Sequence, residues 1–167
     1  MIPFSLDEIE NEDEFEDLAA AYFKDLVSEQ KNDISRVETI QSGKGPDGGR
    51  DILVHLGFSD EVSVFERTWV VQCKFYNDSV GPSHINEINL PSLIHSYNAI
   101  GYLLICKNGV TSGISNLFER LSSECSFGYK YKFWNGNEFK NKLIMRESLH
   151  EVFFPKYYSE MLKIIRK

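Results

Sequence analysis

Two short segments of the sequence combine strand-like apolar residues with side chains that can do chemistry. Asp51 begins the apolar run 52–54, and a second apolar run contains Gln72 and Lys74 on either side of Cys73. Ordinary strands avoid a carboxylate, an amide and an ammonium group. A divalent cation held by carboxylates, with a lysine nearby, is a means of hydrolysing phosphodiesters. The two segments therefore predict a site for metal-assisted phosphodiester cleavage.

The alternation of side chains along a strand separates the polar residues of the second segment from its core. Successive residues point to opposite faces, so Gln72 and Lys74 share one face while Cys73 points to the other. The two polar side chains then lie about 7 Å apart along the strand. Pairing of the two strands would place Asp51 beside them.

The chemical type of each group predicts its role. Asp51 is the expected ligand of Mg²⁺ or Mn²⁺, and Lys74 is expected to position the attacking water or to stabilise charge. Two roles are open for Gln72, whose side-chain oxygen could coordinate the cation or whose amide could hold the substrate. The main-chain carbonyl of Cys73 is a further candidate ligand.

A second carboxylate is predicted from an amphipathic helix at about 11–30. With Phe15 at zero on a wheel of about 100° per residue, the apolar positions centre near 30°. Glu16 falls at about 100° and Glu14 at about 260° on that wheel, so Glu16 borders the buried face. Glu16 is the candidate auxiliary metal ligand. The alternative is a surface acid, because acidic neighbours are numerous.

Hydrophobic periodicity predicts the elements that must position these residues. Strands are expected at about 34–40, 50–56, 68–76, 100–106 and 129–134. Helices are expected at about 11–30, 82–97, 111–124, 137–145 and 150–165, with a break near Pro91. This order favours an α/β sandwich with a central mixed sheet flanked by helices.

The composition bounds the class of protein. With 167 residues, 42% of them apolar, the chain fits one folded domain. It contains neither a run of about eighteen apolar residues nor a signal-peptide pattern at the N-terminus, so no membrane partner is expected. Three cysteines without CxxC spacing suggest neither a disulfide framework nor a thiolate zinc site, and we expect a cytoplasmic protein.

The charge is unevenly distributed. The formal net charge is −7, which does not favour nucleic-acid binding by electrostatics alone. Residues 1–33 contain eleven acids and two lysines, whereas residues 126–167 contain nine basic and four acidic residues. The basic C-terminal part could face a polyanion, or it could simply be solvated surface.

Three motifs, taken together, are similar to those of a known nuclease family. They are Phe15-Glu16-x-Leu18, Gly45-x-Asp47-Gly48-Gly49-Arg50-Asp51 and Val71-Gln72-Cys73-Lys74. They resemble the Mrr-like (type IV) restriction endonucleases, a branch of the PD-(D/E)xK superfamily whose last signature reads QxK. The resemblance extends through 100–106 and 133–139 and covers about 12–145. The length favours one domain over 1–167, and the C-terminal helical extension at about 146–167 departs from the family pattern.

The resemblance implies a fold, an activity and a set of site residues. The implied fold is the restriction-endonuclease-like three-layer α/β sandwich, and the implied activity is divalent-metal-dependent DNA cleavage in antiviral defence. The family's catalytic aspartate falls on Asp51, its Gln and Lys fall on Gln72 and Lys74, and its helix glutamate falls on Glu16. The implied cofactor is Mg²⁺ or Mn²⁺, and the implied partner is DNA.

Two positions depart from the family pattern. Arg50 stands where the family commonly has an aliphatic residue, and Asn135 replaces the aspartate of the last motif. Because the chain is acidic and has no zinc finger or helix-turn-helix, we expect weak or nonspecific action alone. It would then work as a homo-oligomer, or fused to or associated with a larger sensor or targeting module.

Other interpretations stay open or are set aside. A catalytically silent nucleic-acid-binding or interaction domain, and a junction-resolvase-like nuclease on the same core, are the alternative functions. Asp47 could be a second ligand, although an Asp before Gly-Gly usually belongs to a turn. The pattern Gly43-x-Gly45-x-x-Gly48 precedes a strand rather than a helix, so it does not indicate dinucleotide binding. For His84 a surface position is favoured over a contact with substrate.

Overall fold

Five strands form a single sheet in the computed structural model of the protein, which describes residues 3–28, 33–42, 50–124 and 126–165. The strands are β1 (Ile34–Gln41), β2 (Ile52–Ser59), β3 (Val64–Lys74), β4 (Gly101–Cys106) and β5 (Lys130–Trp134), and they lie in the sheet in this order. The pairs β1–β2 and β2–β3 are antiparallel, whereas the pairs β3–β4 and β4–β5 are parallel. The mixed sheet expected from the sequence is confirmed.

Helices cover both faces of this sheet and complete three layers. Those of the described residues are α1 (Glu12–Asp25), α2 (Leu90–Ser96), α3 (Ser112–Glu124), α4 (Gly136–Leu143), α5 (Glu147–Phe153) and α6 (Pro155–Ile165). On one face, α1, α4 and α5 pack through Phe15, Phe139 and Leu149; we call this the α1 layer. On the other face, Ile94 and Ile114 of α2 and α3 form the α2/α3 layer. None of the described helices has the length and apolar character needed to span a membrane.

Alternate residues of the central strands fill the two layers. In β3, Val71 and Cys73 belong to the α1 layer, whereas Val70 belongs to the α2/α3 layer. Every residue of β4 is buried, as its nearly continuous apolar run predicts for a strand covered on both faces. Residues 68–73 of β3 and all of β4 are therefore largely closed to solvent on both sides, and polar groups can meet solvent where these buried stretches end.

The segment predicted as one helix over 82–97 is not a continuous helix. It contains a 3₁₀ turn, Pro82–His84, and α2 begins only at Leu90. Pro91 lies in the first turn of α2, where its missing N–H is not needed, and Asn89 caps that helix. The proline therefore starts a helix instead of breaking one.

The helix predicted over 150–165 is two helices. α5 ends at Phe153 and α6 begins at Pro155, whose ring cannot continue the preceding helix. The first backbone N–H groups of α6, at Lys156 and Tyr157, donate to the Glu8 carboxylate at 2.8 and 3.0 Å. A side chain near the N-terminus thus caps a helix near the C-terminus.

A capping box begins α4 directly after β5. The Asn135 side chain accepts the Glu138 N–H at 2.9 Å, and the Glu138 carboxylate accepts the Asn135 N–H at 3.1 Å. Asn and Asp are about equally good N-caps, so the departure from the family pattern at Asn135 preserves this function. Gly136 follows, and a Cβ atom there would lie only 2.0 Å from the Lys107 carbonyl oxygen. Only glycine fits this close approach.

Candidate active site

The backbone pairing of β2 and β3 ends at Asp51. Its side-chain carboxylate then accepts the next backbone N–H of β3. The strand pairing ends with Ile52 opposite Val71, and the Asp51 N–H donates to the Val71 carbonyl at 3.0 Å. Beyond this point Asp51 Oδ2 accepts a hydrogen bond from the Cys73 N–H at 2.5 Å. The Ser42 N–H donates to the Asp51 carbonyl at 2.8 Å. The carboxylate is thereby held beside the last residues of β3.

The backbone carbonyl of Cys73 points toward the same edge of β3. In a strand, the N–H and C=O groups of one residue share an edge, and the next residue uses the other edge. The Cys73 N–H is directed to Asp51, whereas the Lys74 carbonyl accepts the Lys107 N–H on the β4 side at 3.0 Å. The Cys73 carbonyl is therefore directed to the Asp51 side, which supports its proposed part as a ligand.

The Cys73 thiol, in contrast, lies in the core. Its side chain is fully buried in the α1 layer, as strand alternation predicts. Burial, followed by the negative charges of Asp51 and Glu16, raises the pKa of this thiol well above its usual range. The thiolate form that metals bind is thus strongly disfavoured, so Cys73 can contribute only its carbonyl.

Glu16 approaches the site from α1 and is half-buried. Burial raises the pKa of its carboxyl group to about 7, and the next largest cause is the negative charge of Asp51. This repulsion shows that the two carboxylates are near enough to interact. Glu14, by comparison, accepts the Glu10 N–H at 2.6 Å, so it belongs to the start of α1.

Gln72 lies on the face of β3 opposite Cys73, toward the α2/α3 layer, as strand alternation predicts. Its residue is only 6% exposed, and its Oε1 accepts a hydrogen bond from the Tyr102 hydroxyl at 2.6 Å. Burial is the main reason that the pKa of the Tyr102 phenol is well above its usual range, so the hydroxyl keeps its proton. The side-chain oxygen of Gln72 is therefore already engaged by a protein donor.

Lys74 ends β3 on the same face as Gln72, in a half-buried position. Burial raises the pKa of the Cys106 thiol to about 12, and the positive charge of Lys74 opposes that shift. The Lys74 Nζ atom lies 5.7 Å from the centre of the Tyr76 ring. Cys106 and Tyr76 both belong to the α2/α3 layer, so the ammonium group is on the predicted side of the strand.

The donor chemistry of these residues fits a hard divalent cation. Two carboxylates, Asp51 and Glu16, repel each other, and one backbone carbonyl is directed to the same edge. Mg²⁺ commonly uses one or two carboxylates and fills its remaining positions with water and substrate oxygens. Within the described ranges, no group of three or more His, Cys, Asp and Glu side chains is arranged to hold a metal ion. The set therefore has the donor types of an open site for a hard divalent cation, rather than of a closed protein cage.

The remaining sequence predictions fall outside the cluster. The glycine-rich segment 43–49, with Asp47 as a possible second ligand, lies outside the described residues. His84 is exposed, as favoured, and its Nδ1 accepts the Gly81 N–H at 2.9 Å. In β5, Tyr131 is buried between exposed Lys130 and Lys132, which is the pattern of a half-buried strand.

Two side chains near the site were not predicted from the sequence to contribute to it. Tyr102 holds Gln72 by a hydrogen bond. The sequence indicated this contact only in that a tyrosine hydroxyl in a strand buried on both faces needs a hydrogen-bond partner. Arg50 stacks on Tyr97, with its guanidinium carbon 4.8 Å from the ring centre, and its Nε donates to Ser42 at 3.0 Å. These contacts account for a cation at a position where an aliphatic residue is usual.

Solved structures that resemble this one include two restriction endonucleases. The first is the DNA modification-dependent restriction endonuclease AspBHI, with a TM-score of 0.49 and 15% identity over 99% of this chain and 43% of that chain. The second is the MspJI restriction endonuclease in complex with a 27-mer oligonucleotide, with a TM-score of 0.51 and 14% identity over 77% of this chain and 27% of that chain. This chain thus spans less than half the length of either protein. The similarity to MspJI shows a shared fold.

A match to a protein-family model shows the family of this chain. The Mrr catalytic-domain model, described as a restriction endonuclease, matches residues 6–143. A search of curated proteins gave no match. The matched span includes Glu16, Asp51, Gln72 and Lys74, and it covers most of the chain. The chain therefore belongs to the Mrr-type restriction endonuclease family.

Proposed function

We propose that this chain is a divalent-metal-dependent DNA endonuclease domain that hydrolyses phosphodiester bonds. The hydrogen bond from the Cys73 N–H to Asp51 is the observation that carries the proposal. This bond fixes a carboxylate beside the end of β3. Lys74 is the last residue of that strand, and it supplies an ammonium group on the side of the α2/α3 layer. The family assignment agrees with a nuclease.

Each site residue has a part in this reaction. Asp51, Glu16 and the Cys73 carbonyl would hold Mg²⁺ or Mn²⁺, which supplies charge neutralisation and water activation when bound. Lys74 orients the attacking water or stabilises charge on the phosphoryl oxygens. The side-chain amide of Gln72 would hold the substrate or coordinate the cation.

The test is cleavage of plasmid DNA with Mg²⁺ or Mn²⁺ by the full chain. Lys74→Ala and Asp51→Ala are expected to lower the rate by at least about 100-fold, because each removes a group that acts on the reacting centre. Lys24→Ala, at an exposed lysine near the end of α1, is the matched control and should cut at the parental rate. Undiminished cleavage by Lys74→Ala or Asp51→Ala contradicts the proposal.

We propose that the domain acts in antiviral defence, as a homo-oligomer or beside a larger targeting module, since it spans less than half of the similar solved chains.

Substrate preference is tested with the same protein. Linear duplex, modified duplex and four-way junctions should be compared under identical conditions. A strong preference for junctions would instead indicate a resolvase on the same core.

A further inference from the structure

Gln72 and Tyr102 form a hydrogen-bonded pair inside the α2/α3 layer. Tyr102 is fully buried, and its hydroxyl donates to Gln72 Oε1 at 2.6 Å. In the parallel pairing of β3 and β4, Tyr102 lies opposite Val70, two residues before Gln72 on the same face. The tyrosine therefore reaches diagonally toward the end of β3, where Asp51 and Lys74 lie.

This bond determines which end of the amide faces the site. A primary amide has an acceptor oxygen at one end and two N–H donors at the other. With Oε1 turned to Tyr102, the Nε2 atom is turned away from it. Among the described residues no protein group accepts a hydrogen bond from Gln72 Nε2, and this atom is not one of the buried polar atoms that lack a partner. The nitrogen therefore keeps some exposed surface, although the residue as a whole is only 6% exposed.

An amide nitrogen is a poor ligand for a hard cation, which prefers oxygen. We infer that Tyr102 is a positioning residue that holds Gln72 as a hydrogen-bond donor to the phosphate oxygens of the substrate. The cation is then left to the oxygens of Asp51, Glu16 and Cys73. The inference rests on the proposed nuclease function, and of the two roles open for Gln72 it selects the contact with substrate.

The Tyr102 ring is fixed independently of its hydroxyl, which makes a clean test possible. It packs edge-on against Phe118, with the ring centres 6.1 Å apart. Tyr131 is a second buried tyrosine, and its ring also lies 6.1 Å from Phe118. Tyr131→Phe therefore removes a hydroxyl from the same layer without touching Gln72, and it is the matched control for Tyr102→Phe.

The first measurement is cleavage of plasmid DNA by these variants. Tyr102→Phe is expected to lower kcat about tenfold, the effect of one lost hydrogen bond on a rate. Tyr131→Phe should cut at the parental rate. In a Gln72→Ala background, Tyr102→Phe should cause no further loss, because it acts through the amide. Parental cleavage by Tyr102→Phe, or an equal loss in the Gln72→Ala background, overturns the inference.

The second measurement separates a donor from a ligand. Gln72→Glu has two oxygens and no donor, so it should lose cleavage although it offers the cation a carboxylate. Gln72→Ala should keep the parental affinity for Mn²⁺ in isothermal titration calorimetry. Retained cleavage by Gln72→Glu, or a tenfold weaker Mn²⁺ affinity of Gln72→Ala, makes Gln72 a ligand and overturns the inference. Neither result depends on how well Tyr102→Phe folds.

The third measurement does not require cleavage. The side-chain NH₂ resonances of Gln72, assigned by their loss in Gln72→Ala, should shift in Tyr102→Phe and remain in place in Tyr131→Phe. Unchanged resonances in Tyr102→Phe contradict the inference. If the parental protein cuts no DNA, the proposed function fails, and this spectrum still decides whether Tyr102 holds the amide.

Discussion

Asp51 Oδ2 and the backbone nitrogen of Cys73 are 2.5 Å apart, so a carboxylate of the candidate site belongs to the hydrogen-bond ladder of the sheet. The position of this carboxylate follows from the backbone of β3 rather than from a flexible neighbouring side chain. Hydrogen bonds from N–H groups to ionised acceptors are stronger than those between neutral groups. The same bond thus holds the proposed metal ligand and links β2 to β3 beyond their last backbone pair.

Asp51→Asn should separate these two functions. An asparagine oxygen can still accept the Cys73 N–H, so we expect the free energy of unfolding to fall by only about 1 kcal/mol. The loss of the negative charge should weaken Mn²⁺ binding at least about tenfold, since hard cations prefer carboxylates. Urea unfolding and isothermal titration calorimetry measure the two effects. Asp33→Asn, at an exposed position, is the control, and parental Mn²⁺ affinity in Asp51→Asn would contradict the assignment.

Mn²⁺ should stabilise the folded chain by mass action. At about 100 times its dissociation constant, a cation that binds only the folded state raises the free energy of unfolding by about 2.7 kcal/mol. Differential scanning fluorimetry across a Mn²⁺ titration should show a rising melting temperature for the parental chain and none for Asp51→Ala. A catalytically silent domain without a metal site would show the same flat response in both.

The pH dependence of stability should depend on Glu16. Burial and the Asp51 charge raise the pKa of its carboxyl group from 4.5 to about 7 in the folded state. The folded chain therefore holds this proton more tightly than the unfolded chain, and the stability present below pH 4.5 is lost as the pH rises toward 7. Glu16→Gln should remove that part of the decline, as measured by unfolding without metal between pH 5 and 8. Glu14→Gln is the control, and an identical decline in both variants would falsify the electrostatic argument.

Metal affinity should have the opposite pH dependence. A protonated Glu16 is a poor ligand, so Mn²⁺ binding by the parental chain should strengthen as the pH rises through about 7. In Glu16→Gln this increase should be smaller, and the affinity should be lower at pH 8. Calorimetric titrations at several pH values measure both. Equal affinities of the two proteins at pH 8 would remove Glu16 from the ligand set.

The start of α4 should tolerate Asp at 135 but not Ala at 136. Asn135→Asp keeps the N-cap, whereas Asn135→Ala should cost about 1 kcal/mol. Gly136→Ala brings a Cβ atom to 2.0 Å from the Lys107 carbonyl oxygen, so we expect a loss of more than about 2 kcal/mol. Gly81→Ala is the control, because its nearest contact would be an ordinary 3.6 Å. Urea unfolding should rank the variants in this order, and a stable Gly136→Ala would show that the β4–α4 junction adapts.

Much of the fold could be predicted because its determinants are local. Strand alternation placed Cys73 in the core, and the helical wheel placed Glu16 at the border of α1, where its carboxyl group interacts with Asp51. The nearly continuous apolar run 100–106 indicated a strand covered on both faces. Each of these inferences needs only the period of one element and the composition of its residues.

The parts that could not be predicted depend on contacts between distant residues. The sequence placed Gln72 on the face of β3 opposite Cys73, but it did not show that Tyr102 of β4 holds its side-chain oxygen or that the residue is only 6% exposed. A proline such as Pro91 can interrupt a helix or occupy its first turn. It occupies the first turn here, because the Asn89 side chain caps the helix just before it. The capping box of Asn135 and Glu138 is different, because it is a local Asn-x-x-Glu pattern that the sequence carries.

The burial of residues 68–73 of β3 has a consequence for the direction from which a substrate arrives. Helical layers cover both broad surfaces of this part of the strand, so a nucleic-acid backbone that meets Lys74 must come in along the strand axis, against the rim of the sheet. There the Asp51 carboxylate is fixed by the Cys73 N–H, so a rotation of the duplex would move a phosphate away from it. Orientation of the duplex, more than the strength with which it is held, would then decide how often this domain cuts.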